Sequence, residues 1–132
     1  MNDDELLAGF EAGTLPAFHH HDHVRVAWLY LERYDTLTAL GRFAEGLRHF
    51  AAAKGRPGLY HETVTWAYLL LIRERRAQAA GGETWEEFAA RNGDLLAWEP
   101  SILSHYYRDE TLASELARRV FVLPDRMASL AP

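Results

Sequence analysis

Along this chain, segments whose apolar residues recur every three or four positions alternate with short polar punctuation, the pattern of amphipathic helices. Asn2 followed by Glu5 has the form of a capping box, so a first helix starts there, places Leu6, Leu7 and Phe10 on one face and stops at Gly13. A second helix begins between Pro16 and His23, carries Val24, Ala27, Trp28 and Leu31 at helical spacing, and ends near Tyr34. If Asp22 caps it, His19 and His20 lie in the approach loop; if it starts earlier, they lie in its first turns. Asp35 or Thr36 caps a third helix with the stripe Leu37, Leu40, Phe43, Leu47 and Phe50, closed by Gly55 before the turn Arg56-Pro57-Gly58. The fourth runs from His61 through Ile72 into a charged tail that stops at Gly81-Gly82. Its middle is apolar nearly all round, which predicts the central helix of the fold.

The second half is more broken. Thr84 and Glu87 form another capping box, opening a short helix through Phe88 that ends near Gly93. Leu95 to Trp98 is a brief segment punctuated by Pro100, and Ser101 to Tyr107 forms one or two helical turns. Asp109 caps a last helix with Leu112, Leu116 and Val120 on one face. The tail Phe121-Val122-Leu123-Pro124-Asp125 is too apolar to float, so it packs back on the bundle. No segment reads convincingly as a strand. The expected fold is all-α, a single-domain helical bundle of about five to seven helices over residues 1–132.

Composition narrows the partners. A chain of 132 residues suits one domain with a real core. The formal net charge of -5 argues against nucleic acid, and the longest apolar run, Ala67 to Ile72, is too short to span a bilayer. With no cysteine there are no disulfides, thiolate metal sites or cysteine nucleophiles. The acidic start Met1-Asn2-Asp3-Asp4-Glu5 is the opposite of a secretory leader, so a cytoplasmic protein is expected. The apolar tail and the odd helix count leave room for a homodimer.

Candidate chemistry gathers in Phe18-His19-His20-His21-Asp22-His23-Val24-Arg25, where four of the seven histidines occupy five positions at the mouth of an apolar helix. Imidazoles there need partners, and one metal ion can satisfy several at once. His20 and His23 are three apart and His19 and His23 four apart, so either pair shares a helix face. His20 is in phase with Val24, Ala27 and Leu31, while His21 points outward. His61, in phase with Thr65, Tyr68 and Ile72, is the best distant third ligand.

The leading expectation is therefore a small enzyme with one divalent transition metal, Zn, Fe, Cu or Ni, held by His20, His23 and His61, with His19 as the substitute for His20. Open positions on the ion would serve Lewis-acid or redox chemistry on a small organic substrate. Asp22 would cap the helix or orient a ligating imidazole. Glu62 is the candidate general base, Tyr106 or Tyr107 the candidate proton donor, and Trp28, Thr65, Trp66 and Tyr68 the candidate pocket walls. Three other readings stand beside it: a non-catalytic metal- or ligand-binding protein, a metal-free acid–base enzyme using His23 and Glu62, and an interaction module with solvated histidines. The zinc motif His-Glu-x-x-His is absent because position 65 is Thr. Gly-rich phosphate loops, a Gly-x-Ser-x-Gly elbow and paired Glu-x-x-His motifs are absent as well. His21-Asp22 matches the dipeptide of the metal phosphohydrolases named for it, without the rest of their spacing.

Three segments, Phe18-His19-His20-His21-Asp22-His23-Val24, Gly58-Leu59-Tyr60-His61-Glu62-Thr63 and Phe121-Val122-Leu123-Pro124-Asp125, resemble a family of short bacterial helical proteins. The resemblance spans Leu15 to Asp125 and implies no activity.

Overall fold

A computed structural model describes residues 1–126, so residues 127–132 of the expected domain span lie outside the described residues. The chain is all-α, as its periodicity predicts, and no strand occurs among the described residues. Four long helices come first: α1 (Asp3–Ala12), α2 (His20–Arg33), α3 (Thr36–Ala53) and α4 (Glu62–Ala77). Four short ones follow: α5 (Trp85–Arg91), α6 (Gly93–Leu96), α7 (Asp109–Leu112) and α8 (Glu115–Arg119), with single 3-10 turns at Pro57–Leu59 and Ile102–His105.

Local chemistry sets most boundaries. The Asn2 and Thr84 capping boxes form with both reciprocal bonds, and Asp35 caps α3 by accepting the Thr38 N–H at 2.8 Å. Asp22 does not cap α2. It sits in the first turn, and its carboxylate accepts the backbone N–H of His19, the residue that precedes the helix, at 3.0 Å. The expected last helix is two pieces. Ser114 interrupts it, donating through Oγ to the Thr111 carbonyl while accepting the Ala117 N–H, so a new helix starts at Glu115. That reset turns Ala117 inward and leaves Leu116 and Val120, two of the residues expected to face the core, exposed. Leu37 is likewise 82% exposed, because Asp35 starts α3 with Ala39, Phe43, Ala44 and Gly46 as the buried face.

As predicted for a central helix, α4 packs against α2, α3, α8 and the turn at Ile102–His105; α2 is equally surrounded, meeting α1, α3, α4 and α6. Val26, Ala27, Trp28, Leu29 and Tyr30 are all buried, five in a row. Phe10 from α1 completes this centre, with Phe18, Tyr30, Phe43 and Phe50 ringed around it at centroid distances of 5.1–6.4 Å. Gly46 makes room for it, since a Cβ there would fall 2.3 Å from the Phe10 ring.

The apolar tail packs back as expected. Thr63 Oγ1 donates to the Val120 carbonyl and accepts the Val122 N–H, the Tyr107 hydroxyl donates to the Val122 carbonyl at 2.7 Å, and Trp66 stacks on Phe121 at 5.1 Å. Asp125 accepts the Arg108 N–H and the Thr111 hydroxyl, closing the loop onto α7.

Two glycines of one helix should respond oppositely. Gly41→Ala meets no neighbour within 4 Å and should stabilise by roughly 0.5–1 kcal/mol through helix propensity. Gly46→Ala should destabilise by about 1–3 kcal/mol, because overpacking against Phe10 outweighs that gain. Urea unfolding of both variants checks the pair, and a stabilised Gly46→Ala would refute the packing account.

Candidate functional site

A cleft of about 880 Å³ opens where the N-terminus of α2 converges with α3 and α4. α2 and its approach contribute Phe18, His20, His23 and Val24; α3 contributes Phe43, Leu47 and Phe50, and Lys54 follows at its C-terminal cap. α4 adds Val64, Thr65, Tyr68 and Ile72, and the segment from Trp98 to Ser104 closes the far side. At this end Pro57 and Pro100 lie in connections instead of further helix.

His20 and His23 are side by side at this cleft, ring centroids 6.4 Å apart. His20 Nε2 lies 2.8 Å from the Leu95 carbonyl, which can only accept, so Nε2 carries the proton and Nδ1 is left as an acceptor. Its ring meets Tyr68 edge-on at 4.8 Å and Trp98 at 4.9 Å. His23 stacks on Phe18 at 4.2 Å. Desolvation, reinforced by His20 and only partly offset by Asp22 and a backbone hydrogen bond with Phe18, pushes His23 down to about 4. Desolvation also lowers His20, against the opposing pull of the Leu95 carbonyl. Both rings are therefore neutral near neutral pH. Beyond them, Tyr68 Oη and Ser101 Oγ share a 2.6 Å hydrogen bond within the cleft.

The remaining expected site residues are placed otherwise. His61 lines the cleft, but as the cap of α4: its Nδ1 accepts the Val64 N–H at 3.1 Å and its Nε2 donates to the Leu112 carbonyl at 2.8 Å. Both ring nitrogens are spent, so His61 does not complete a metal set with His20 and His23. His19 is exposed at the helix start, and His21 is exposed against the edge of Trp85. No three His, Asp or Glu side chains among the described residues are grouped to hold a metal ion. The donor set thus does not fit the expected three-histidine centre.

Glu62 is not aimed into the cleft as a base; Arg48 Nη2, at 3.0 Å, and the Tyr60 hydroxyl both bond its Oε1. Tyr107 is buried with its hydroxyl on Val122, and burial raises it to about 12; Tyr106 lies outside the cleft, its carbonyl holding the Asp125 and Arg126 N–H groups. Neither tyrosine is placed as a proton donor there. Thr65 and Tyr68 line the cleft, but Trp28 packs with Trp85 and Phe88, and Trp66 with Phe121. The walls that sequence reasoning missed are Phe18, Phe50, Tyr60 and Trp98. Their only signal was aromatic character, and core packing accounts for that equally well.

No family model matches this chain, and no curated protein or solved structure is significantly similar to it.

The unfolded chain takes up the His23 proton at pH 6.5 and the folded one at about 4, so the unfolded state binds more protons between those values. Stability is therefore lost as the pH falls through that window, by about 2 kcal/mol between pH 7 and pH 5 from this group alone. His23→Phe should narrow the measured pH 7 to pH 5 difference in urea unfolding by about that amount. An unchanged difference would refute the desolvation account. His61→Ala should cost about 1–3 kcal/mol through the lost cap and the orphaned Leu112 carbonyl, equally with chelator or with added zinc. A loss seen only with zinc present would mark His61 as a ligand instead.

Proposed function

We propose that this chain binds a small, largely apolar organic molecule in the cleft, with His20 and His23 supplying its polar contacts. One observation carries the reading: two neutral imidazoles face a cleft of small-molecule size whose walls are otherwise mainly aliphatic and aromatic. Ligand sites have this make-up, an apolar concavity of roughly 300–1,000 Å³ with a few convergent polar groups that fix orientation. Neutral rings suit the role, because they donate or accept a hydrogen bond without the desolvation cost of a buried charge.

A second reading, proton-transfer catalysis on the bound molecule, is favoured by the unprotonated Nδ1 that the Leu95 hydrogen bond leaves on His20. A general base works best with a pKa near the operating pH. His23, at about 4, is too weak for that task, so His20 carries the proton in this reading.

Nile red, a neutral dye that brightens in apolar surroundings, tests the shared premise. It should bind saturably and one-to-one. Leu47→Trp, which fills the cleft from α3, should weaken binding by about tenfold or more, whereas Leu37→Trp on the exposed face of the same helix should leave it unchanged. Equal binding by both variants would sink the cleft as the ligand site.

A further inference from the structure

We infer that the molecule taken by this cleft is an organic anion, an apolar body carrying one acidic group that lies at the Lys54 end. The inference rests on the binding role just proposed and adds the chemical class of the ligand. Inside, His20 and His23 are neutral near neutral pH, His61 has both ring nitrogens bonded to backbone, and the other polar side chains are hydroxyls such as those of Thr65, Tyr68 and Ser101, so a charged group on a ligand is best accommodated at the rim.

The rim is not electrically even. Lys54 has no carboxylate partner among the described residues; its ammonium lies 5.3 Å from the centroid of the Phe50 ring, itself a cleft wall. Arg118 is also without a carboxylate and donates through Nη1 to the Gly58 carbonyl at 2.8 Å. Gly58 follows Lys54 by one tight turn, in which the Arg56 N–H bonds the Ala51 carbonyl, so both cations stand at the same end. The two rim carboxylates are divided between separate segments. Glu99 is beside Trp98 on the side that packs over His20, and Asp109 opens α7. Neither carboxylate forms an ion pair with Lys54 or Arg118, and a cation pair left unneutralised at the edge of an apolar cleft attracts and orients an anion. Lys54 suits the task, since its stem covers apolar surface while its head stays at the water boundary.

Three molecules of one shape separate the possibilities: naphthoate, naphthylmethanol and naphthylmethylammonium, each titrated calorimetrically near neutral pH alongside Nile red displacement. Naphthoate should bind roughly fivefold tighter than the alcohol, and the ammonium weakest, as expected for one partly solvated charge contact. Lys54→Met should bring naphthoate down to the affinity of the alcohol while leaving the alcohol unchanged, and Lys54→Glu should reverse the order. If the alcohol matches naphthoate in the parent protein, or if Lys54→Met leaves their ratio intact, the anion assignment is wrong while the cleft stands. Tightest binding of the ammonium would overturn it in favour of the Trp98 and Glu99 end. If none of the three binds and Nile red also fails, the binding role itself falls.

Discussion

With Val26 through Tyr30 all buried, the middle of α2 has no face left for water, and the helices around it must supply every contact made there. The consequence reaches its first turn. A helix enclosed by α1, α3, α4 and α6 cannot present its N-terminus freely to solvent, so His20 and His23 are drawn partly inside although nothing in their own chemistry favours it. Their lowered basicity follows from that enclosure. Desolvation is the largest cause for both, and it acts on groups positioned by the packing of residues three to ten positions further along the helix.

Histidine crowding need not mean metal when backbone groups stand within reach. The Leu95 carbonyl serves His20, a backbone hydrogen bond with Phe18 serves His23, and the Val64 N–H and the Leu112 carbonyl take both nitrogens of His61. Two of these pairings also tie distant parts of the chain together, α2 to α6 through His20 and α4 to α7 through His61. The same economy runs through the tail. Thr63, Tyr107 and Asp125 each bond main-chain groups around residues 106–122, so side chains that could have served chemistry hold the C-terminal segment on α4 and α7 instead. Such bonds satisfy buried backbone groups that these short helices and turns cannot pair among themselves.

What remains open to a ligand is the place where residues of α2, α3 and α4 line one cleft. Its walls are residues that would otherwise be core, and its polar groups are those that the packing left neutral. The charged side chains are confined to the rim, in Lys54, Glu99, Asp109 and Arg118. Binding by shape and apolar contact, oriented by one or two hydrogen bonds and a rim charge, is the behaviour this distribution supports.

The sequence by itself determined the helical class and most of the helix starts and stops. Capping chemistry at Asn2, Asp35 and Thr84, the stops at Gly13 and Gly55, and the three-and-four spacing of apolar residues are local, and local rules read them. The inward-pointing phase of His20 was also legible, because it follows from the period of α2. Tertiary structure alone decided the partners. His61 shares a helix phase with Tyr68, yet one contact with a carbonyl 51 residues away makes it a cap and a clamp. Glu62 is drawn to Arg48 on another helix, Trp28 and Trp66 turn to walls remote from the cleft, and Trp98 turns into it. Periodicity states which side of a helix is apolar; only the arrangement of neighbouring helices states what that side meets, and there the choice between core, clamp and ligand site is made.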